Sequence, residues 1–216
     1  MPHTATMHEC LAEAARGKAL IFDLDGTLID SREAILQCWT DALQTTGLCS
    51  QVLLNERLIG PPARQAAQWI AGEGQVQAAE ELLVQFIDAY DGGGWQLCKP
   101  FAGVDEALRQ LASMGAPLHL VTNKRAQPTH LILSALGWLP LFRSVHCPDD
   151  EPVNFRSKPT MLADLLAQGS IQPEQAAYVG DTPEDQIAAH LNRLGFIAAW
   201  WGDAPKHFPQ PLIEAA

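Results

Sequence analysis

Short apolar runs alternate along much of the chain with longer stretches in which apolar residues recur every three or four positions. The first run, 19–24, is typical of a buried strand, because it is mainly apolar and stops abruptly at Asp25 and Gly26. Runs of the same kind occupy 117–121, 144–147, 176–179 and 196–201. Helical patterns lie between them at 104–114, 127–136, 159–168 and 183–194. Strand alternating with helix predicts a parallel sheet covered on both faces.

One region interrupts this alternation. Residues 31–97 contain no clear strand pattern, and their helical patterns have cores at 34–45, 63–71 and 75–90. A stretch of this length is too long for an ordinary crossover between two strands. We therefore predict a doubly wound, Rossmann-like α/β core made of residues 1–30 and 98–216. Residues 31–97 would form a small all-helical cap domain inserted after the first strand.

Charge narrows the choice of partners. The 216 residues include 14 Lys and Arg against 25 Asp and Glu, a formal net charge of −11. A field of this sign repels polyanions, so we expect neither a nucleic-acid nor a membrane-surface partner. An anionic substrate would need local cations, and Lys124 and Arg125 are candidates for that positive potential.

The cysteines and the hydropathy pattern indicate a cellular location. The five cysteines are widely spaced and form neither a CxxC pair nor a zinc-ligand pattern, which favours reduced thiols. No segment approaches the roughly 18 consecutive apolar residues of a membrane span, and no signal peptide is evident. We expect a cytoplasmic protein, either a monomer or a homodimer.

Two carboxylates stand at the end of the first predicted strand. Asp23 and Asp25 are two positions apart, so strand geometry can aim both side chains in the same direction. A carboxylate pair in one small space needs a cation or a proton, and Gly26 permits a sharp turn after it. Taken alone, this segment also fits a solvated turn.

A second acidic segment, 180–185, follows the fourth predicted strand. In a sheet of order 3-2-1-4-5, the first and fourth strands are neighbours at the point where ligands bind. This order brings Asp181 towards Asp23 and Asp25. Asp181, Glu184 and Asp185 also suit the start of the next helix, where their charges would complement the helix dipole. Several converging carboxylates fit a hard divalent cation, and Mg²⁺ suits phosphate chemistry.

The other strand ends supply groups that suit a phosphoryl anion. Thr122 and Asn123 follow the second predicted strand, and Lys158 stands at the start of a predicted helix. A hydroxyl, backbone N–H groups and an ammonium can stabilise the phosphoryl oxygens during transfer. Singly, Lys158 also fits a surface charge, and Thr122 an ordinary strand end.

Together these segments resemble the haloacid dehalogenase superfamily, in the branch of small phosphatases that carry a helical cap after the first motif. The resemblance covers about residues 18–203, and the four motifs are 22–27, 120–124, 157–159 and 179–185. Within the superfamily the chain looks most like the phosphoglycolate phosphatase group, which also matches 59–62 and 102–104. Ala102 departs from the group, which usually has proline there.

The resemblance implies a two-step phosphoryl transfer. Asp23 would attack phosphorus and become an aspartyl-phosphate, while Asp25 would protonate the leaving oxygen and then activate water. The acid at position 25 favours phosphate chemistry, since dehalogenases of the superfamily lack it.

The resemblance also implies the binding groups. Mg²⁺ would be held by the Asp23 side chain, the Asp25 backbone carbonyl and Asp181, with Asp185 acting directly or through an intervening group. The phosphoryl oxygens would be bound by Thr122, the Asn123 backbone and Lys158.

One cap residue is a candidate for substrate binding. Arg64 follows Gly60 and two prolines at a predicted helix start, and its guanidinium could clamp a substrate carboxylate. A solvated helix arginine fits the same position equally well.

The sequence predicts a Mg²⁺-dependent phosphatase that acts on a small phosphorylated metabolite. Two alternatives stay open. A phosphosugar mutase of the same branch would share Asp23 and Asp25 but return the phosphoryl group to the sugar. A non-catalytic regulator that binds a phosphoryl ligand could use the same fold, because fold does not determine function.

Overall fold

A six-stranded sheet lies at the centre of the computed structural model, which describes residues 7–150, 155–208 and 212–215. The strands are β1 (Ala19–Phe22), β2 (Ile29–Asp30), β3 (Lys99–Pro100), β4 (Leu118–Val121), β5 (Ser144–His146), β6 (Ala176–Gly180), β7 (Gly195–Ala198) and β8 (Ile213–Glu214). The α-helices are α1 (Met7–Ala14), α2 (Arg32–Thr46), α3 (Ala63–Ala71), α4 (Val76–Asp91), α5 (Val104–Ser113), α6 (Ala126–Ala135), α7 (Lys158–Gly169) and α8 (Pro183–Leu191). Short 3₁₀ helices cover Glu56–Leu58, Gly94–Leu97, Leu139–Leu141, Pro173–Gln175 and Ala204–Lys206.

The strand order of the large sheet is β5-β4-β1-β6-β7-β8. The five strands from β5 to β7 are parallel, and β8 pairs antiparallel with β7. The expected doubly wound α/β fold and the order of its five parallel strands are therefore confirmed. The edge strand β8 was not predicted, because two residues are too few to form a recognisable hydropathy pattern.

Burial on both faces explains why the strands are continuously apolar. Successive side chains of a strand point to opposite faces of the sheet. In β1, Leu20 and Phe22 join a core beneath α1 and α5, whereas Ile21 joins a second core with residues of α7 and α8. Each of these three residues is fully buried. The sheet is therefore covered on both sides, and its functional edge is the line of strand carboxyl ends.

A separate cluster of buried residues holds the helical segment between β2 and β3 together. It contains Trp39 of α2, Ile70 of α3, and Leu82 and Phe86 of α4, and the Trp39 and Phe86 rings stack with centroids 4.0 Å apart. The apolar stripes of these helices face one another, which agrees with their helical spacing.

The chain leaves and rejoins the sheet through a short antiparallel pair. Ile29 pairs with Pro100, and Asp30 pairs with Lys99. This β2–β3 pair was not predicted, since its two-residue strands meet only after the whole helical segment has been traversed. It lies at the proposed limits of the cap domain, and the division at 31–97 stays a prediction. Within the described residues, no helix has the length and apolar character needed to cross a membrane.

Candidate active site

Three buried carboxylates meet where β1 and β6 end. Asp23 directly follows β1, Asp181 directly follows β6, and Asp185 lies in the first turn of α8. Because β1 and β6 are adjacent and parallel, their carboxyl ends lie side by side. One oxygen from each of the three carboxylates lies within 4.8 Å of the other two. The fold thus brings together Asp23 and Asp181, which are 158 positions apart in the sequence, and Asp185, which is 162 positions from Asp23.

Two glycines allow this close approach. Gly26 has φ of 80°, and a Cβ atom there would lie 2.2 Å from Oδ2 of Asp181. A Cβ atom on Gly180 would lie 2.6 Å from Cβ of Asp185. Both distances are far inside van der Waals contact, so any side chain would push the carboxylates apart. The glycines of the first and fourth motifs therefore shape the acidic cluster itself.

Lys158 compensates part of the negative charge. Its ammonium lies 2.6 Å from Oδ1 of Asp185 and 3.1 Å from Oδ1 of Asp23. The side chain is 8% exposed, so the alternative interpretation of a surface charge is wrong. Ser157 caps α7 by accepting a hydrogen bond from the Thr160 backbone, which fixes the start of the helix that carries Lys158.

Asp185 is the best-satisfied carboxylate of the cluster. Its Oδ2 accepts hydrogen bonds from the Thr182 hydroxyl at 2.8 Å and from the backbone N–H groups of Thr182 and Asp181, both at 3.1 Å. Burial opposes ionisation, yet Lys158 and these donors together lower the pKa of Asp185. Asp185 thus forms the capping box of α8 and also orients Lys158.

Asp23 and Asp181 are less fully compensated than Asp185. Burial raises the pKa of Asp23 to about 7 against the opposing charge of Lys158. Burial and the neighbouring carboxylates Asp185 and Asp23 also raise the pKa of Asp181, although Thr27 donates a hydrogen bond of 3.0 Å to its Oδ1. Oδ1 of Asp23 is buried and, despite its ion pair, makes no hydrogen bond within the described part of the chain. Three carboxylates around one ammonium leave excess negative charge, and their oxygens fit a hard divalent cation.

Asp25 forms a buried ion pair with a second lysine. Nζ of Lys124 lies 2.8 Å from Oδ1 and 3.0 Å from Oδ2 of Asp25, and both side chains are buried. Burial alone would lower the pKa of Lys124, but the Asp25 charge raises it instead. The ammonium also lies 4.7 Å from the centroid of the Tyr90 ring in α4. Lys124 therefore orients Asp25 and joins the sheet to the helical segment.

The sequence indicated only a general positive potential for Lys124. Its pairing with Asp25 spans 99 positions, and no local pattern indicates it. Tyr178 was missed for a similar reason. It lies inside β6 as an apolar strand residue, while its hydroxyl donates to the Val121 carbonyl at 3.0 Å and lies 3.4 Å from Oδ1 of Asp185.

The remaining predicted residues lie at the end of β4 and in α3. Thr122 is buried, and its hydroxyl oxygen accepts a hydrogen bond of 3.2 Å from the Lys124 backbone. The Asn123 amide donates to the Gly60 carbonyl at 3.1 Å and so contacts the helical segment. Arg64 lies outside the carboxylate cluster, and its exposed guanidinium pairs with Glu80.

A cavity of about 240 Å³ lies between these strand ends and the helical segment. Asp25, Asn123 and Lys124 line it from the sheet, and Arg64 lines it from α3. Most of the other lining side chains are apolar, and those of Ile35, Trp39, Leu83 and Phe86 come from α2 and α4. The acidic cluster and this cavity together form the candidate active site.

Comparison with known proteins gives the class to which this fold and site belong. Residues 20–199 match the model of the haloacid dehalogenase-like hydrolase family, and the chain belongs to that family. The resemblance inferred from the four motifs is therefore confirmed, as is the expectation of an enzyme of the hydrolase class.

Individual relatives within and beyond this class show which named proteins the chain is similar to. The chain is 31% identical over 186 residues to the phosphoglycolate phosphatase of Xanthomonas campestris, covering 86% of this chain and 84% of that protein. A solved structure described as a predicted phosphoglycolate phosphatase from Haemophilus somnus superposes with a TM-score of 0.73 at 26% identity, covering 86% of each chain. The chain is also 29% identical to the tyrosine-protein kinase PtkA of Mycobacterium tuberculosis over 85% of its own length, but it spans only 62% of that relative.

Proposed function

We propose that the chain is a Mg²⁺-dependent phosphatase that hydrolyses a small phosphomonoester through an aspartyl-phosphate intermediate. The observation that carries this proposal is the convergence of Asp23, Asp181 and Asp185 around Lys158 in one buried site. Membership of the hydrolase family and similarity to phosphoglycolate phosphatases support the same reaction.

Asp23 is the proposed nucleophile. One of its carboxylate oxygens attacks phosphorus, and the bond between phosphorus and the leaving oxygen breaks. Asp25 donates a proton to that leaving oxygen, which departs as an alcohol. In the second step Asp25 takes a proton from water, the water oxygen attacks phosphorus, and the bond to Asp23 breaks. Lys124 holds the Asp25 carboxylate in one orientation for the second step, in which that carboxylate takes a proton from water.

The carboxylates of Asp23 and Asp181, with the Asp25 backbone carbonyl, are the proposed ligands of Mg²⁺, and Asp185 supports them. The cation, when bound, neutralises the charge that develops on the phosphoryl oxygens. This assignment fits the excess negative charge of the cluster and the buried Oδ1 of Asp23 that lacks a hydrogen bond among the described residues.

The phosphoryl oxygens are proposed to contact the Thr122 hydroxyl, the Asn123 backbone and the Lys158 ammonium. Thr122 and Lys158 are both buried, and Lys158 contacts the proposed nucleophile, so water competes weakly for their hydrogen bonds. Lys158 would exchange part of its interaction with Asp23 for the negatively charged substrate.

The helical segment 31–97 is proposed to act as a cap domain that covers the site. Three contacts join it to the end of β4: Asn123 with Gly60, Lys124 with Tyr90, and Arg125 with Asp91. A cover of this kind excludes bulk water and selects the leaving group. We also propose a cytoplasmic location, which the five free thiols support.

Phosphate release by the purified protein from a panel of small phosphomonoesters, with Mg²⁺ and with chelator, tests this function. Metal-dependent release is expected, and phosphoglycolate belongs in the panel because relatives are named for it. Isomerised sugar phosphate without free phosphate would instead support the mutase. If folded, metal-loaded protein gives neither free phosphate nor isomerised sugar phosphate, the non-catalytic regulator would be favoured.

Magnesium binding is expected to stabilise the protein more as pH rises. Burial raises the pKa of Asp23 from its ordinary value of 3.8 to about 7, so protons and Mg²⁺ compete for this carboxylate at pH 5 but hardly at pH 8. At a hundred times its Kd, Mg²⁺ should add about 2.7 kcal/mol to the free energy of unfolding. Urea unfolding at pH 5 and pH 8, with Mg²⁺ or chelator, measures this increment.

The gain in the free energy of unfolding on adding Mg²⁺ separates the effect of the carboxylates from that of other titrating groups. Burial lowers the pKa of His119 to about 4, and this shift makes stability rise with pH whether or not metal is bound. The difference between the two conditions removes that contribution. Asp181→Asn serves as the control and should show little increment at either pH. An equal gain in stability from Mg²⁺ at both pH values would contradict the assignment of Asp23 as a Mg²⁺ ligand.

Arg64→Ala is expected to change substrate preference without changing the Mg²⁺ requirement. Its loss would remove a positive charge from the cavity wall and leave Glu80 unpaired nearby, which should lower kcat/KM for anionic leaving groups about two- to fivefold relative to neutral ones. Arg57→Ala is the matched control, because Arg57 is exposed on the same segment but does not line the cavity. A uniform loss across all substrates would argue against this role.

A further inference from the structure

The walls of the cavity are mainly apolar. Side chains from the helical segment form one continuous apolar surface, contributed by Ile35, Trp39, Leu58, Leu83, Phe86 and Ile87. The rings of Trp39, Phe86 and Tyr90 stack in series, with centroid distances of 4.0 and 5.4 Å. Stacked rings are held rigidly, so this wall presents a preformed apolar face.

Every cation on the cavity wall is already neutralised. Lys124 is bound by both oxygens of Asp25, and Arg125 pairs with Asp91. Arg64 pairs with Glu80. All Lys and Arg residues of the chain lie within the described ranges, so none in an undescribed segment can supply a further cation. A carboxylate entering this cavity would therefore lose its hydration without gaining a free positive partner.

The position of Asp25 indicates which part of the substrate would occupy this cavity. Under the proposed function, Asp25 delivers a proton to the leaving oxygen, and Asp25 lines the cavity. The leaving group must extend from that oxygen into the space that Asp25 faces. The cavity volume of about 240 Å³ suits a small organic group.

We infer that the cavity selects phosphomonoesters whose leaving group is an uncharged, apolar alcohol, in preference to carboxylate-bearing esters such as phosphoglycolate. This inference rests on the proposed function for the identity of the reacting bond. It differs from the activity named for the similar phosphatases, because the charges on this wall cancel and its surface is apolar.

A pair of substrates of matched shape tests the inference. Isobutyl phosphate and phosphoglycolate differ by replacement of a carboxylate with an isopropyl group, while both carry a primary leaving oxygen. We expect kcat/KM for isobutyl phosphate to exceed that for phosphoglycolate at least about tenfold. Along ethyl, propyl and butyl phosphate, kcat/KM should rise up to about fourfold for each methylene that enters the cavity. A higher or equal value for phosphoglycolate would overturn the inference.

Two variants of α4 test the part played by charge cancellation. Glu80→Gln frees the guanidinium of Arg64, which should raise kcat/KM for phosphoglycolate about two- to fivefold and leave that for isobutyl phosphate unchanged. Glu81→Gln is the matched control, because Glu81 accepts a hydrogen bond from Gln77 and does not line the cavity. An equal response of both variants would show that Arg64 does not read the substrate charge.

Binding of phosphonates separates this inference from the proposed function. Neither 3-methylbutylphosphonate nor 3-phosphonopropionate can be hydrolysed, and the two compounds differ in the same way as the substrate pair. Calorimetry with the full chain and Mg²⁺ should give the lower Kd for 3-methylbutylphosphonate. If no substrate releases phosphate, the proposed function fails, and this comparison still decides whether the cavity prefers an apolar ligand to one that carries a carboxylate. Tighter or equal binding of 3-phosphonopropionate would refute it.

Discussion

Asp23→Asn is expected to reduce turnover roughly 10⁴-fold or more while the protein stays folded. The proposed reaction forms a covalent bond between phosphorus and an oxygen of Asp23, and an amide oxygen is a poor nucleophile. Asparagine has almost the same shape as aspartate, so the packing of the buried side chain should be retained. The measurement is steady-state phosphate release with the best substrate of the panel, accompanied by urea unfolding.

The stability of this variant follows from the charges around it. Asp23 lies near two other buried carboxylates, and removal of one negative charge relieves their repulsion. In the presence of chelator, the free energy of unfolding should therefore stay within about 1 kcal/mol of the native protein. Asp88→Asn, an exposed change of the same kind in α4, is the control and should retain full activity. Comparable turnover in Asp23→Asn would defeat the nucleophile assignment.

Lys158→Met is expected to impair both stability and turnover. The ammonium lies between Oδ1 of Asp185 and Oδ1 of Asp23, and its loss leaves two buried carboxylates without their cation. Breaking a buried ion pair from one side costs about 3–5 kcal/mol. Loss of a donor to the phosphoryl oxygens should lower kcat a further 10²- to 10³-fold, in order of magnitude. Urea unfolding and phosphate release measure the two effects separately.

The loss of stability in Lys158→Met should depend on pH, and the direction of that dependence follows from the neighbouring carboxylates. Without the ammonium, the pKa values of Asp23 and Asp185 rise in the folded state, because Lys158 lowers both in the native protein. The folded variant then binds protons that the unfolded chain has already released. Its stability therefore falls as pH increases, and the deficit should be larger at pH 8 than at pH 5.

Two controls distinguish this effect from a general loss of packing. Lys99→Met removes an exposed pair with Glu33, whose side chains are 72% and 65% exposed, and should cost no more than about 0.5 kcal/mol. Added Mg²⁺ should restore part of the lost stability of Lys158→Met, since a divalent cation can compensate the same carboxylates. A deficit as small as that of Lys99→Met would contradict the assigned role of Lys158.

Much of the fold was predictable because its signals are local. Each parallel strand is a short apolar run that stops at a polar or glycine residue, and each intervening helix repeats its apolar positions at helical spacing. The order of the five parallel strands followed from the usual arrangement of such a sheet and is confirmed. The pairs formed by β2, β3 and β8 were missed, because two-residue strands carry no periodic pattern and pair with residues distant in the chain.

The candidate site was only partly predictable. The motifs identified Asp23, Thr122, Lys158 and Asp181 as candidates, and the structure brings the carboxylates and Lys158 into contact distance. Their catalytic roles stay predictions. The sequence did not indicate that Lys124 holds both oxygens of Asp25, since that pair depends on the neighbouring positions of β1 and β4 in the sheet.

The sequence by itself determined the family, the order of the five parallel strands and the positions of the motif residues. These features are encoded by residue types at short spacing, and apolar burial then drives the sheet and its helices together. Only the tertiary structure decided which charges cancel. Asp25 with Lys124, and Arg64 with Glu80, are pairs separated by 99 and 16 positions, and each depends on how two elements pack. An ion pair forms where folding brings opposite charges within a few ångströms, and no pattern along the chain records that distance.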